Sequence, residues 1–205
     1  MSKESEIVYV VDDEARMRKA LTRLLRSEGF DVRAFASADD FLAAYRAEET
    51  ACLVLDVAMP DLDGMDLQRR LTGAGVLVPI VFLTGKGDIP MSVHAIKAGA
   101  VDFLTKPVND ADLLCAVRAG LQQATRLKAA HATTTALTAR YTSLTPRELE
   151  VMTHVVAGKL NKQIAADLGT SEQTIKVHRG RVMEKMGVES LADLVRAAER
   201  LGIGK

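Results

Sequence analysis

The amino-acid sequence predicts two domains of different fold class: a doubly wound α/β domain with a five-stranded parallel sheet, followed by a small all-α domain. Two observations predict this division. From residue 7 to about residue 124, short apolar runs alternate with stretches of helical periodicity, whereas from about residue 144 only helical patterns remain. A composition of 48% hydrophobic and 26% charged residues with 2 Cys excludes a disordered chain and a disulfide-stapled scaffold.

Five βα units account for the first part. We predict strands over residues 7–11, 32–35, 53–55, 80–83 and 101–104, and helices over residues 15–27, 38–47, 65–72, 90–98 and from 110 onward. Strands that are apolar on both faces and separated by helices form a parallel sheet covered on both sides, with right-handed crossovers. Ligands of such sheets bind beyond the carboxyl ends of the strands, so the residues after each apolar run are the site candidates.

Residues 125–143 are predicted to be a linker between a first domain, residues 1–124, and a second domain, residues 144–205. The segment is rich in Ala and Thr and has few large apolar side chains. We expect its first part to prolong the preceding helix and its Thr-rich part to be mobile, because that part has little to bury.

The second domain is predicted to contain four short helices. A capping box at residues 145–148, Thr-Pro-Arg-Glu, starts the first helix, and Gly158 ends it. The other three are expected over residues 161–168, 172–186 and 190–201, each followed by a glycine. The short turn at residues 169–171 gives the second and third of these helices the layout of a helix-turn-helix, which places one helix across the DNA backbone and the next in the major groove.

Charge is divided unequally between the two parts. Residues 1–124 hold 14 of the 27 Lys and Arg and 19 of the 27 Asp and Glu, which leaves 13 and 8 for residues 125–205. The first part is therefore acidic and the second basic, which favours a polyanionic partner for the second. Charge alone leaves open that this is a chance segregation of solvated side chains.

Acidic, hydroxyl and cationic side chains follow the predicted strands at the edge where ligands collect: Asp12, Asp13, Asp56, Thr84 and Lys106. Three carboxylates together need a cation, and an all-oxygen ligand set favours Mg²⁺ over zinc. Asp56, at the end of the central strand, is the predicted nucleophile toward phosphorus. Asp12 and Asp13 are placed to hold the metal, and Thr84 and Lys106 to contact oxygens of the transferred group.

On the third helix of the second domain, Ile175, Val182 and Met186 recur at core spacing, so the opposite face is predicted to point outward. Side chains on that face, with neighbouring hydroxyls and one preceding lysine, can reach phosphates and base edges. The candidate DNA contacts are Lys162, Thr170, Ser171, Gln173, Thr174, Lys176, Val177, Arg179, Gly180, Arg181 and Lys185. The residues alone leave open that these cations are only solvated.

The first part resembles the receiver domain of two-component response regulators. The motifs that carry the resemblance are Val11-Asp12-Asp13, Leu55-Asp56-Val57-Ala58-Met59-Pro60, Asp63-Gly64, Leu83-Thr84 and Phe103-Leu104-Thr105-Lys106-Pro107. The resemblance implies a flavodoxin-like, CheY-like receiver fold in which Asp56 accepts a phosphoryl group from a sensor histidine kinase. The switch residues it implies are Thr84, which moves onto the phosphoryl group, and Phe103, which turns inward.

The same resemblance implies how the remaining receiver residues act. Asp13, Asp56 and the backbone carbonyl of Ala58 would ligate Mg²⁺, with Asp12 assisting, and the peptide bond between Lys106 and its following proline would be cis. Ala58 and Lys86 occupy positions that vary among receivers and are thought to tune the loss of the phosphoryl group, so the sequence does not predict the lifetime of the phosphorylated state.

The second part resembles the LuxR-type helix-turn-helix. The resemblance lies in Leu144-Thr145-Pro146-Arg147-Glu148-Leu149-Glu150-Val151, Asn161-Lys162-Gln163-Ile164-Ala165 and Thr174-Ile175-Lys176-Val177-His178-Arg179. The combination of both domains is similar to the NarL/FixJ response regulators over essentially the whole chain. One departure is Gly180, which stands where a longer side chain is common and makes base readout thinner.

This combined resemblance implies a phosphorylation-activated transcription regulator, not an enzyme. Its implied partners are a sensor histidine kinase, double-stranded promoter DNA and RNA polymerase. A phosphorylated homodimer would form through the surface of residues 90–104, which starts at Pro90 and ends at Leu104.

The residues also allow two other functions to be considered. One is a magnesium phosphohydrolase with Asp56 as nucleophile, but Ala58 stands where an aspartate-dependent phosphatase carries its general acid. The other is a phosphate-independent DNA-binding protein whose first part only dimerises, and the full set of acids, Thr84 and Lys106 argues against it.

The sequence also predicts a cytoplasmic location with no membrane contact. The N-terminal residues include two acids before the first apolar run, and no apolar run approaches the ~20 residues that span a bilayer.

Overall fold

The structure is a computed structural model that describes residues 6–60, 62–85 and 89–203. Lys86, one of the two positions expected to tune phosphoryl loss, lies outside the described residues. The chain divides into two compact units, Met1–Lys128 and Ala129–Lys205. We refer to them as the first unit and the second unit.

The first unit alternates strands and helices. Its strands are β1 (Glu6–Val11), β2 (Asp31–Phe35), β3 (Thr50–Asp56), β4 (Ile80–Thr84) and β5 (Asp102–Thr105). Its helices are α1 (Ala15–Ser27), α2 (Ala38–Ala44), α3 (Gly64–Gly73), α4 (Ile89–Lys97) and the beginning of α5 (Asp110–Thr142). The strands pair in parallel in the order β2-β1-β3-β4-β5, which confirms the predicted fold class.

Helices cover both faces of the sheet. Phe41 of α2, Leu67 of α3 and Ala95 of α4 are fully buried in the core on one face. Leu25 of α1 and Val117 of α5 are fully buried in the core on the other. The central strand β3 is consequently buried at every residue, which is why its sequence is a continuous apolar run rather than an alternating one.

Helix α2 is shorter than predicted. The pattern over residues 38–47 predicts a helix, but the helix ends at Ala44 because Tyr45 takes an extended backbone conformation, with φ −61° and ψ 139°. The Tyr45 ring packs against Phe41, with ring centroids 5.5 Å apart. The guanidinium of Arg46 donates to the Tyr45 carbonyl at 3.0 Å, so a side chain satisfies this acceptor just after the helix end.

Helix α5 is longer than predicted. It continues to Thr142, so the expectation of a mobile Thr-rich part within residues 125–143 is wrong. The hydroxyls of Thr133, Thr134 and Thr138 each donate to the carbonyl four residues earlier, at 2.8, 3.1 and 2.9 Å. Leu137 is buried in the core of the second unit, which gives this segment the apolar anchor that the expectation denied it.

The second unit contains the end of α5 and four further helices, as predicted for this part of the chain. They are α6 (Pro146–Val156), α7 (Asn161–Asp167), α8 (Glu172–Met186) and α9 (Leu191–Arg200). The capping box is present: the Thr145 hydroxyl accepts from the Glu148 N–H at 3.3 Å, and the Glu148 carboxylate accepts from the Thr145 N–H at 2.8 Å. Ile175, Val182 and Met186 of α8 are fully buried, so the predicted core face is confirmed.

Gly64, the first residue of α3, lies directly against the end of β3. A Cβ atom at this position would lie 2.5 Å from the Asp56 carbonyl oxygen and 3.1 Å from the Cα of Val57. Because these are backbone atoms, they cannot move aside without displacing Asp56. We expect Gly64→Ala to lower the free energy of unfolding by about 1–3 kcal/mol, measured by urea unfolding under circular dichroism.

Gly73, at the other end of α3, provides the matched control. Apart from the adjacent residues and the backbone of its own helix, no heavy atom lies within 4 Å of the position its Cβ would take. Gly73→Ala is therefore expected to leave stability unchanged or to raise it by up to ~1 kcal/mol through helix propensity. Equal stability of the two variants would show that β3 yields to the added methyl group.

Candidate functional site

Three carboxylates meet at the carboxyl edge of the sheet. The carboxylate oxygens of Asp12, Asp13 and Asp56 lie within 4.8 Å of one another, and we call these residues the acid cluster. They meet because β1 and β3 are paired neighbours, with Val11, the last residue of β1, opposite Leu55, the residue before Asp56. Asp12 and Asp56 are buried, whereas Asp13 is exposed, so the cluster opens to solvent on one side.

Lys106 reaches the acid cluster from the end of β5. Its ammonium lies 2.7 Å from Oδ2 of Asp12 and 2.7 Å from Oδ2 of Asp56. Its backbone N–H donates to the carbonyl of Thr84 at 2.7 Å, which fixes the start of the loop relative to β4. The peptide bond between Lys106 and Pro107 is cis, as the resemblance to receivers implies.

Burial and charge oppose each other in this ion pair. Burial raises the pKa of the Asp56 carboxyl above its usual value, and the hydrogen bond from Lys106 acts in the opposite direction without cancelling this effect. Burial also lowers the pKa of Lys106, but the bonds to Asp12 and Asp56 outweigh it and leave that pKa raised. Lys106 is therefore a fixed cation beside two buried carboxyl groups.

The ligand chemistry of the acid cluster fits Mg²⁺. Its donors are carboxylate oxygens alone, and one of the three side chains is exposed, which suits an ion that keeps several water ligands. Ala58 lies just beyond β3, where its N–H donates to Oδ1 of Asp56 at 3.2 Å. The ion would be held by Asp12, Asp13 and Asp56, with the Ala58 carbonyl as the further expected ligand.

The two residues expected to act as a switch lie on neighbouring strands. Thr84, the last residue of β4, is buried, and it pairs in register with Thr105 of β5. Phe103 of β5 is half-buried and lies beside Phe82, with ring centroids 6.1 Å apart. Phe103 therefore stands two residues from the level of Thr84 on the adjacent strand, with part of its surface in solvent.

In the second unit, the expected DNA-reading surface is formed by α7, the following turn and α8. Ser171 caps α8 and accepts from the Thr174 N–H at 3.1 Å. The side chains that point into solvent are Lys162, Ser171, Gln173, Lys176, Val177 and Arg181, while Thr170 and Thr174 are half-buried. A Cβ atom at Gly180 would meet no neighbour within 4 Å, so this position is also open to solvent.

Two cations expected on that surface are bound within the unit. Arg179 is half-buried and donates to Oδ1 of Asn161 at 3.2 Å. The ammonium of Lys185 lies 2.6 Å from Oε2 of the buried Glu148 and 3.3 Å from the Ser143 carbonyl. Lys185 thus holds α8 to α6, and we no longer expect it to contact DNA. Its position three residues after the core residue Val182 is the sequence signal for this inward direction.

Arg140 is a residue that the sequence analysis missed. It lies at the end of α5, where its guanidinium donates to the carbonyl of Met186, the last residue of α8, at 3.1 Å. Leu137, one turn earlier, is buried in the same core as Met186. The spacing of Leu137, Arg140 and Tyr141 along one helical face could have indicated that this segment packs.

Comparison with known proteins decides the family. Residues 8–118 match the response regulator receiver domain, and residues 142–198 match the bacterial regulatory proteins of the luxR family. The chain belongs to the two-component response regulators. This response regulator is 49% identical to nodulation protein W of Bradyrhizobium diazoefficiens over 197 residues, which cover 96% of this chain and 87% of that protein.

Two further comparisons agree with this assignment. The response regulator is 43% identical over 196 residues to the transcriptional regulatory protein FixJ of Bradyrhizobium diazoefficiens, with 96% of each chain covered. It matches the low-resolution structure of the response regulator StyR with a TM-score of 0.83 and 46% identity, covering 96% of this chain and 99% of that one. The family consists of regulators rather than enzymes, so the phosphohydrolase alternative is set aside.

Within the described part of the chain, no helix combines the length and the apolar character required to cross a membrane.

The ion pair between the buried Glu148 and the partly exposed Lys185 makes the stability of the second unit depend on pH. The hydrogen bond from Lys185, followed by that from the Thr145 N–H, lowers the pKa of Glu148 from 4.5 to about 2. The unfolded chain therefore binds a proton at higher pH than the folded one, and the stabilisation is complete above about pH 4.5 and declines as the pH falls toward about 2.

Thermal unfolding of the full chain, followed by NMR signals of α6 and α8, measures this dependence. Glu148→Gln is the reference, since it keeps the shape but cannot ionise. The wild type is expected to be more stable at pH 7, and its advantage over Glu148→Gln should shrink as the pH falls below 4.5. A constant advantage over this range would contradict the assigned role of Glu148.

Proposed function

We propose that this response regulator is activated by phosphorylation of Asp56 and then binds promoter DNA as a dimer. The observation that carries the proposal is the position of Lys106, 2.7 Å from both Asp12 and Asp56 at the mouth of the sheet. The phosphoryl donor would be a phosphohistidine of a sensor histidine kinase. Asp56 is the acceptor because it ends the central strand, between the metal-holding acids and the lysine.

In the proposed step, a carboxylate oxygen of Asp56 attacks phosphorus. A P–O bond forms as the P–N bond to the kinase histidine breaks. The electron pair of the broken bond stays on the ring nitrogen, and the ring, protonated on its other nitrogen, leaves as neutral imidazole. Lys106 and the Thr84 hydroxyl would contact oxygens of the transferred group. Mg²⁺, held by Asp12, Asp13, Asp56 and the Ala58 carbonyl, would supply positive charge against the same oxygens.

Phosphorylation would change the surface of residues 90–104, from Pro90 to Leu104, which we call the dimer surface. Thr84 would move onto the phosphoryl group, and Phe103 would turn inward from its half-buried position. Val93 and Ile96 of α4 are 45% and 46% exposed, and large apolar side chains together on one exposed helix favour a protein partner. The proposed partner is a second copy of the same chain.

The second unit would bind double-stranded DNA with α8 in the major groove. The proposed contacts are Lys162, Thr170, Ser171, Gln173, Thr174, Lys176, Val177, Arg179, Gly180 and Arg181, without Lys185. RNA polymerase is the proposed downstream partner, and the cytoplasm the proposed location. Dimerisation raises DNA affinity because two linked modules bind with a high effective concentration, whereas one small module makes few contacts.

The domain boundaries are part of the same proposal. We assign residues 1–124 to the receiver, 125–143 to a connecting segment that is helical to Thr142, and 144–205 to the DNA-binding domain. The two family matches, which end at residue 118 and resume at residue 142, support this division.

Asp56→Asn tests the phosphorylation step. Incubation with acetyl phosphate and Mg²⁺ is expected to add one phosphoryl group to the wild type and to shift it toward dimer, because the attacking carboxylate is present. The variant should show neither change, as measured by intact mass spectrometry and light scattering.

Asp63→Asn is the control for this experiment. Asp63 is an exposed residue that caps α3 by accepting from the Met65 N–H at 2.8 Å, and asparagine can cap equally well. It should be phosphorylated like the wild type. Dimerisation of Asp56→Asn on addition of acetyl phosphate would refute the mechanism. A wild-type DNA affinity that is unchanged by acetyl phosphate would favour a phosphate-independent DNA-binding protein.

Lys176→Ala tests the DNA surface. Lys176 is exposed on the outward face of α8, and we expect its loss to weaken binding to a selected duplex by ~1–3 kcal/mol. Gel shifts at fixed salt measure the effect. Lys19→Ala removes the same charge from exposed α1 in the first unit and should bind like the wild type. Equal affinity of both variants would remove Lys176 from the proposed contacts.

A further inference from the structure

The C-terminal end of α8 is held by the last turns of α5. The NH1 group of Arg140 donates to the Met186 carbonyl at 3.1 Å. This carbonyl belongs to the last residue of α8, where the backbone acceptors of a helix lack partners in the next turn. A cation there also meets the negative end of the helix dipole, so the contact is favourable in two ways.

The residue that follows α8 is shaped for this contact. Gly187 ends the helix in the left-handed conformation, with φ 65° and ψ 43°. A Cβ atom there would lie 2.6 Å from NH1 and 2.9 Å from Cζ of Arg140. Glycine adopts this backbone conformation without strain and leaves the guanidinium in its place, whereas a Cβ atom would displace it. The two residues, 47 positions apart, therefore fit as one local structure.

Arg140 also lines a groove of about 570 Å³ between the end of α5, the end of α8 and α9. The groove carries charges of both signs, with Glu189 and Asp193 near Arg196 and Arg200. Such a mixed lining does not select an anionic ligand. The guanidinium instead has a defined partner in the protein, which is the end of the helix whose outward face carries Lys176.

We propose that Arg140 is a positioning residue for DNA recognition. It fixes the C-terminal end of α8, so that the outward face of this helix meets the major groove at one angle, and it makes no contact with DNA itself. The inference rests on the proposed DNA-binding function of the second unit. It assigns to the end of α5 a role in the sequence specificity of DNA binding by α8, in addition to its role in connecting the two domains.

The test compares full-length Arg140→Met with the wild type on two duplexes. One is selected from a random library by the wild-type chain, and the other is its scrambled counterpart. Methionine keeps much of the apolar stem and removes the guanidinium. We expect binding to the selected duplex to weaken about tenfold, while binding to the scrambled duplex changes less than about twofold, because non-specific binding depends on phosphate charge.

The salt dependence separates positioning from direct contact. Loss of a phosphate contact reduces the slope of log affinity against log salt concentration by about one. We expect Arg140→Met to leave this slope unchanged, and Arg140→Lys, which restores a cation at the helix end, to regain most of the selected-duplex affinity. All variants are measured at a temperature at which circular dichroism shows them folded, so a purely structural role would leave both affinities unchanged.

Arg126→Met is the matched control. It removes the same charge from an exposed position of α5 in the first unit and should bind both duplexes like the wild type. A reduced salt slope for Arg140→Met, or unchanged affinity for the selected duplex, would overturn the inference and leave the DNA-binding function standing. A wild-type chain that selects no duplex would overturn the proposed function and this inference with it.

Discussion

The charge imbalance at the carboxyl edge of the sheet is the constraint on which the first unit depends. Three carboxylates and one ammonium meet there, which leaves two negative charges in excess when all are ionised. Moving ionised groups out of water costs several kcal/mol each, and Lys106 offsets this only for Asp12 and Asp56. Asp13, the exposed member, faces the side from which a further cation can enter. The fold therefore builds a site with excess negative charge, which a bound cation would reduce.

The second unit contains the opposite case. Glu148 is buried, but Lys185 and the Thr145 N–H donate to its carboxylate, so one negative charge is balanced by one positive charge. A balanced pair of one buried carboxylate and one partly exposed ammonium needs no ligand and fixes α8 against α6. The comparison separates two kinds of buried acid in one chain. The imbalance of the acid cluster suits a site that would take a cation, whereas the balanced charge of Glu148 suits a structural role.

Much of the first unit could be predicted because one rule links sequence to position: the ends of parallel strands converge. Asp12, Asp56, Thr84 and Lys106 each follow an apolar run, and the structure brings the two acids and the lysine into contact. The extension of α5 could not be predicted in the same way. Threonine hydroxyls compete for backbone groups in an unfolded chain, yet in this helix they bond to carbonyls of the preceding turn, which composition does not reveal.

The partner of each cation was the second feature that could not be predicted from the sequence. Lys176 and Lys185 lie on one helix and look alike as charges, but the partner of Lys185 is Glu148, 37 residues earlier. Arg140 and Arg179 likewise have defined partners within the second unit. The count of 13 Lys and Arg against 8 Asp and Glu in residues 125–205 therefore overstates the number of cations that are available to contact DNA.

This reduction changes how the second unit can achieve specificity. With Arg140 and Lys185 bound internally, the proposed cationic contacts are Lys162, Lys176, Arg179 and Arg181, and Gly180 offers no side chain to a base. In the proposed complex, the affinity of one module would be small, and discrimination would come from the exact placement of a few groups such as Gln173 and Lys176. In the proposed dimeric complex, a fixed helix would set this placement and a second copy would repeat it, since a weak contact made twice in a set geometry gains affinity that neither copy has alone.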